Sequence, residues 1–145
     1  MKIKPIGIDL GTTYSAASTI NEAGKPEIIV NSEGERTTAS AIYFEDKNNI
    51  TVGSLATDKL VEEPDKVAMW FKRGMGDKDY TFVVNDKKLS AVELSSIVLK
   101  KIYNDVLQVF PNNIVNKVVV TVPAYFDEFR RKATMDAAKL AGLEV

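Results

Sequence analysis

The chain has 145 residues, 45% of them hydrophobic and 27% charged, with a formal net charge of −1. That is enough apolar material for one modest core, and the mixed charge argues against disorder. Near-neutrality gives no electrostatic reason to seek nucleic acid or an anionic membrane, and the absence of cysteine and histidine removes disulfides, thiolate nucleophiles, Ser-His-Asp chemistry and the usual zinc ligands. The chemistry that remains is that of carboxylates, lysine, arginine, hydroxyls and backbone N–H groups. The opening Met1-Lys2-Ile3-Lys4-Pro5 has no apolar run behind its lysines, and no stretch approaches the ~20 apolar residues of a membrane span. A cytoplasmic protein is the expectation.

In chain order, Ile6 to Leu10 reads as a short buried strand ending in a turn. Tyr14 to Ile20 is a second strand and Glu27 to Val30 a third, with turn chemistry over Asn21 to Pro26. Together they predict an antiparallel meander. After the polar loop Asn31 to Arg36, Ala41 to Phe44 is a strand and Thr51 to Gly53 a further extended piece. A helix over Ser54 to Glu62 stops before Pro64. A short helix is expected over Lys66 to Lys72, ended by Gly74 and Gly76. Tyr80 to Val84 and Lys87 to Leu89 flank Asn85-Asp86, a hairpin signal.

The longest helix starts at a capping box, Ser90 with Glu93, and carries Leu94, Val98, Ile102, Val106 and Phe110 on one face. Helical periodicity needs only a core to explain it, so this face is for packing. Val118 to Val122 is β-branched and continuously apolar, which predicts a central strand ended by Pro123. Asp127 caps a last helix running to about Ala141, with Gly142 behind it, and Ala133, Ala137 and Ala141 suit close packing on a sheet.

The segment from Gly7 to Ser15, GIDLGTTYS, carries the chemical information. Gly11 lets backbone N–H groups approach an anion, and Thr12 and Thr13 add hydroxyl donors, a combination suited to phosphate oxygens. Asp9 beside a phosphate calls for a cation between them, most economically magnesium held largely by water and phosphate. No Walker loop is present. By its residues alone the segment reads equally well as a tight hairpin.

Ile8 to Ser15 resembles the first signature of the seventy-kilodalton heat-shock proteins, the DnaK-type chaperones. Asn31 to Thr38, Phe71 to Gly76, Val120 to Phe126, Arg131 to Thr134 and Ala141 to Val145 resemble later segments in the same order, so the likeness covers essentially the whole chain. It implies an α/β fold with a mixed sheet, a ribonuclease-H/actin-like ATPase lobe. Residues 1–38 and 117–145 would form a lower subdomain and 39–116 an inserted upper one. It implies ATP or ADP with magnesium as cofactors, and ATP hydrolysis driving a protein-folding, stress-response cycle. Gly11, Thr12, Thr13 and Tyr14 match the turn that holds the β/γ-phosphates, Asp9 the acidic residue near magnesium, Lys72 the catalytic lysine, and Pro123 with Arg131 an allosteric relay. Implied partners are unfolded polypeptides, a J-domain co-chaperone and a nucleotide exchange factor. Taken as residues only, Lys72 is a solvated lysine at a helix end, Pro123 a strand terminator and Arg131 a solvated helix residue. Ala39 departs from the family, which has proline there. The resemblance stops before the family's later catalytic carboxylates, second phosphate loop and adenosine pocket, which implies weak ATP affinity for these residues alone and self-association through open sheet edges. A sugar-kinase-like or actin-like ATP-binding module of the same superfold is the alternative.

Overall fold

The computed structural model describes residues 2–111, 113–114 and 117–145. Asn116, where the sequence places the end of the inserted segment, lies outside them. The main sheet joins β2 (Ile6–Asp9), β3 (Tyr14–Ile20), β4 (Pro26–Ile29), β5 (Thr38–Ala39) and β12 (Val118–Thr121). β2, β3 and β4 form the expected antiparallel meander, β5 pairs with the start of β3, and β12 runs parallel to β2. The sheet is therefore mixed. In β3 burial alternates strictly, and the inward residues Ser15, Ala17 and Thr19 are all small.

The middle of the chain builds a second sheet from β6 (Ala41–Phe44), flanked by β7 (Ile50–Val52) and β8 (Val67–Met69). Every residue of β6 is buried. A hairpin follows, β9 (Phe82–Val84) with β10 (Lys87–Leu89). Its turn residues Asn85 and Asp86 have φ of 49° and 66°, the two left-handed positions that this hairpin turn requires. A short parallel pair, β1 (Lys2–Ile3) with β11 (Asn113–Ile114), lies apart from these sheets.

Three expectations need correction. The helix over Lys66 to Lys72 is absent. Val67–Met69 instead pairs with β6 as β8, and a 3₁₀ turn covers Phe71–Gly74. Between them Trp70 is left-handed, with φ of 58°, which no helix could pass through. The helix from Ser54 is only α1 (Ser54–Asp58). Beyond it Val61 is 91% exposed, so nothing buried supports further turns. The strand from Val118 is not central along its length. β2 pairs it on one side, while among the described residues its other edge meets only Glu144, at Lys117. Val119 is accordingly 69% exposed.

The two long helices follow the sequence closely. α2 (Ala91–Val109) has both halves of the capping box, Glu93 N–H to Ser90 Oγ and Ser90 N–H to Glu93 Oε1. Leu94, Val98, Ile102 and Val106 are buried, and Phe110 packs part-buried against the same core. α3 (Glu128–Leu140) is capped by Asp127, which accepts from Arg130 N–H. It ends with Gly142 left-handed, Gly142 N–H bonded to Lys139 O and Leu143 N–H to Ala138 O, a complete Schellman motif. The extensive neighbour of α3 is α2 rather than a strand, so its alanines allow a close approach between helices. No helix among the described residues is long and apolar enough to cross a membrane.

Candidate functional site

The turn between β2 and β3 is held from inside. Gly11 N–H donates to Ser15 Oγ (3.2 Å), and Ser40 Oγ donates to Gly11 O (2.8 Å). The two serine hydroxyls lie 2.8 Å apart. Because Ser40 spends its one proton on Gly11 O, Ser15 is the donor of that pair. The result is a closed ring of hydrogen bonds around the Gly11 peptide, and its serines are only 1% and 2% exposed. Ser40 N–H also donates to Thr13 O (2.8 Å).

This ring changes the reading of Gly11. Its φ is not in the left-handed region. A Cβ there would lie 1.9 Å from Tyr14 O, so glycine is required by the close return of the backbone and not by torsion. Its N–H faces inward to Ser15 and is not offered to a ligand. Among the described residues, the N–H groups and hydroxyls of Thr12 and Thr13 have no protein hydrogen-bond partner, which leaves them as the outward donors. Tyr14 begins β3 opposite Ala39, with its side chain 60% exposed.

Lys72 reaches this turn from the 3₁₀ segment and donates to Leu10 O. Burial pushes its ammonium below the ordinary value of 10.5, and the Asp9 carboxylate opposes that shift. Asp9, at the end of β2, lies exposed and accepts from Thr121 Oγ1 (3.0 Å), its register partner on β12. Sequence reasoning missed Thr121 and Ser40, and it included Ser15 in the turn segment without giving it a role. Strand pairing alone makes Thr121 and Ser40 neighbours of the turn, and no local pattern marks those two.

Thr12, Lys72 and Pro123 line one cleft of about 200 Å³ together with Arg73, Tyr125, Phe126 and Arg130. Arg131 does not line it. Its Nε donates to Phe126 O (3.3 Å), while Phe126 N–H donates to Pro123 O (3.0 Å). Pro123 and Arg131 are thus joined through the backbone of Phe126.

The chain matches the family model described as Hsp70 protein, over residues 5–86 and 79–145. The chain belongs to the Hsp70 family. Two proteins named Chaperone protein DnaK, from two strains of Halobacterium salinarum, are each 42% identical over 142 residues. That match covers 98% of this chain and 22% of each relative, so the chain spans about a fifth of the length of these Hsp70 proteins. The mixed α/β architecture is that of an Hsp70 ATPase-lobe segment.

Donor chemistry decides how a metal could fit this Hsp70 segment. No group of three acidic residues that could hold an ion occurs among the described residues. A single exposed carboxylate, Asp9, fits an ion whose remaining ligands are water and phosphate, the usual habit of magnesium.

Proposed function

We propose that this chain supplies the first phosphate-binding turn and the catalytic-type lysine of an ATP-hydrolysing chaperone, within a longer protein. The observation carrying this reading is the convergence of Thr12, Lys72 and Pro123 on one cleft, with Lys72 bonded to the turn itself across 62 positions of sequence. Free N–H and hydroxyl donors on Thr12 and Thr13 suit the β/γ-phosphates, and a partly buried ammonium at their side suits charge developing on a transferred phosphoryl group. Magnesium arriving with the nucleotide would neutralise phosphate charge, and Asp9 would orient it directly or through water. Tyr14 would flank the turn, while Pro123 and Arg131 would pass nucleotide state outward through Phe126.

By the same reading, residues 1–38 and 117–145 form the lower subdomain and 39–116 the inserted upper one. The longer protein acts in the cytoplasm, under stress, on unfolded polypeptides with a J-domain co-chaperone and a nucleotide exchange factor. The names of the relatives favour this chaperone cycle over a sugar-kinase-like or actin-like role.

Calorimetric titration with magnesium-ATP tests the reading on a longer protein that carries this chain. Lys72→Ala should still bind while hydrolysis falls by a factor of ~10² or more, the scale of losing one electrostatic stabiliser of a transition state. Unchanged turnover in that variant would remove Lys72 from the chemistry.

A further inference from the structure

Three cationic side chains line the cleft: Lys72, Arg73 and Arg130. None is ion-paired among the described residues. Two of them share one aromatic ring. Lys72 Nζ lies 5.6 Å from the Phe126 ring centre, and the Arg130 guanidinium carbon lies 5.8 Å from it. A ring quadrupole can hold such cations in place, but it cannot cancel their mutual repulsion. Among the described residues, the Asp9 carboxylate that acts on Lys72 accepts from Thr121 and makes no ion pair with Lys72.

The placement of Arg130 is built into the fold. It sits in the first turn of α3, where its backbone N–H is the group that Asp127 caps (2.9 Å). Its stem runs beside Gly76, where an added Cβ would come within 3.0 Å of Arg130 Cγ. Gly76, expected from the sequence only to end a helix, thereby also makes room for the arginine.

We propose that Arg130, with Lys72, forms a phosphate oxyanion site within this chain, so that Arg130 is a binding residue for the terminal phosphate of a nucleotide. This rests on the reading of the cleft as a phosphate site and adds a residue that the sequence did not single out. Clustered cations without counter-charges are stabilised by an anion from solution, and a guanidinium offers it two parallel N–H donors. Arg131, one position on, is tied to Phe126 O and faces away from this role.

The test uses the 145-residue chain and inorganic phosphate, titrated at constant ionic strength and followed by NMR of the Thr12 amide and the arginine Nε–H groups. A saturable shift of Thr12 and Arg130 together is expected. Arg130→Gln should raise the dissociation constant about tenfold, the loss of roughly one charge-assisted hydrogen bond. Lys139→Gln, which removes an exposed cation at the far end of α3, should leave it unchanged. Because the Asp127 cap uses the backbone of Arg130, circular dichroism of Arg130→Gln should match the parent. If Arg130→Gln titrates like the parent while Lys72→Met loses binding, the proposal is overturned and the nucleotide reading stands. If Lys72→Met has no effect while Arg130→Gln weakens binding, the shared site is overturned in favour of Arg130 alone, and the catalytic role of Lys72 is decided by the hydrolysis measurement. No saturable shift in the parent chain overturns the self-sufficient site, leaving the nucleotide reading to the ATP titration.

Discussion

At the residue scale, the phosphate turn depends on groups that never face a ligand. Ser15 and Ser40 stand 25 positions apart, yet each completes the other's hydrogen bonding around Gly11. Ser40→Ala would take the hydroxyl donor from Gly11 O and leave the buried Ser15 hydroxyl proton without its acceptor, while Gly11 N–H still bonds Ser15 Oγ. The expected cost is ~1–3 kcal/mol of unfolding free energy, read from the shift in urea midpoint at constant slope. A loss of under about 0.5 kcal/mol would mean that the ring relaxes around the gap. The residues of the turn were legible in the sequence because glycine beside two threonines has a chemical meaning of its own. Ser40 was not, since a serine next to a strand has many uses and only its distant partner selects one.

At the scale of elements, local signals held where they were strong and failed where pairing competed. The capping box of α2 and the glycine end of α3 came out as written because each is closed by residues within one turn. Val67–Met69 shows the opposite outcome. Three residues cannot stabilise a helix, and the open edge of β6 offers them ladder hydrogen bonds. β5 was missed because two residues carry no period. Its geometry explains how Ala39 fits where the resemblance leads one to expect proline. The Ser40 N–H to Thr13 O bond makes Tyr14–Ala39 a non-hydrogen-bonded pair, so the Ala39 N–H is not needed by the ladder. Ala39→Pro is therefore expected to be tolerated and to raise stability by ~0.4–1 kcal/mol through the unfolded chain. Thermal unfolding checks this. A drop in the midpoint would show that the ring collides with Tyr43 or Ala56, its neighbours in the small second core cluster.

At the scale of the whole molecule, one buried cluster runs from Ile6 and Ile8 of the main sheet through Ile42 and Phe44 of the second sheet to α2 and α3. The inward face of α2 connects these parts, with Leu94, Val98 and Leu99 fully buried. An ionic link adds to it, where the part-buried Lys101 of α2 bridges Glu33 (2.6 Å) and the buried Asp105. Burial pushes the Glu33 carboxyl up, but hydrogen bonds from Lys101 and Ser32 outweigh it and hold it below the usual range. Leu99→Ala should cost ~2–5 kcal/mol, as for other buried leucines. Because one core serves both sheets, fluorescence of Trp70, beside the second sheet, and far-ultraviolet dichroism should report a single transition at the same lower midpoint. Two separated transitions would show that the sheets unfold independently.

By itself, the sequence determined the elements whose signals are local: the meander, the hairpin turn, both long helices with their caps, and the glycine–threonine turn. Those signals act within a few residues, through torsional preference, side-chain caps and hydrophobic period. Only the tertiary structure decided that Thr121 meets Asp9, that Ser40 closes the turn, that Lys72 reaches Leu10 O, and that Arg130 rather than Arg131 enters the cleft. Each of those contacts depends on strand register or helix placement. These are set by the burial of side chains far from the site, which no local stretch of sequence records.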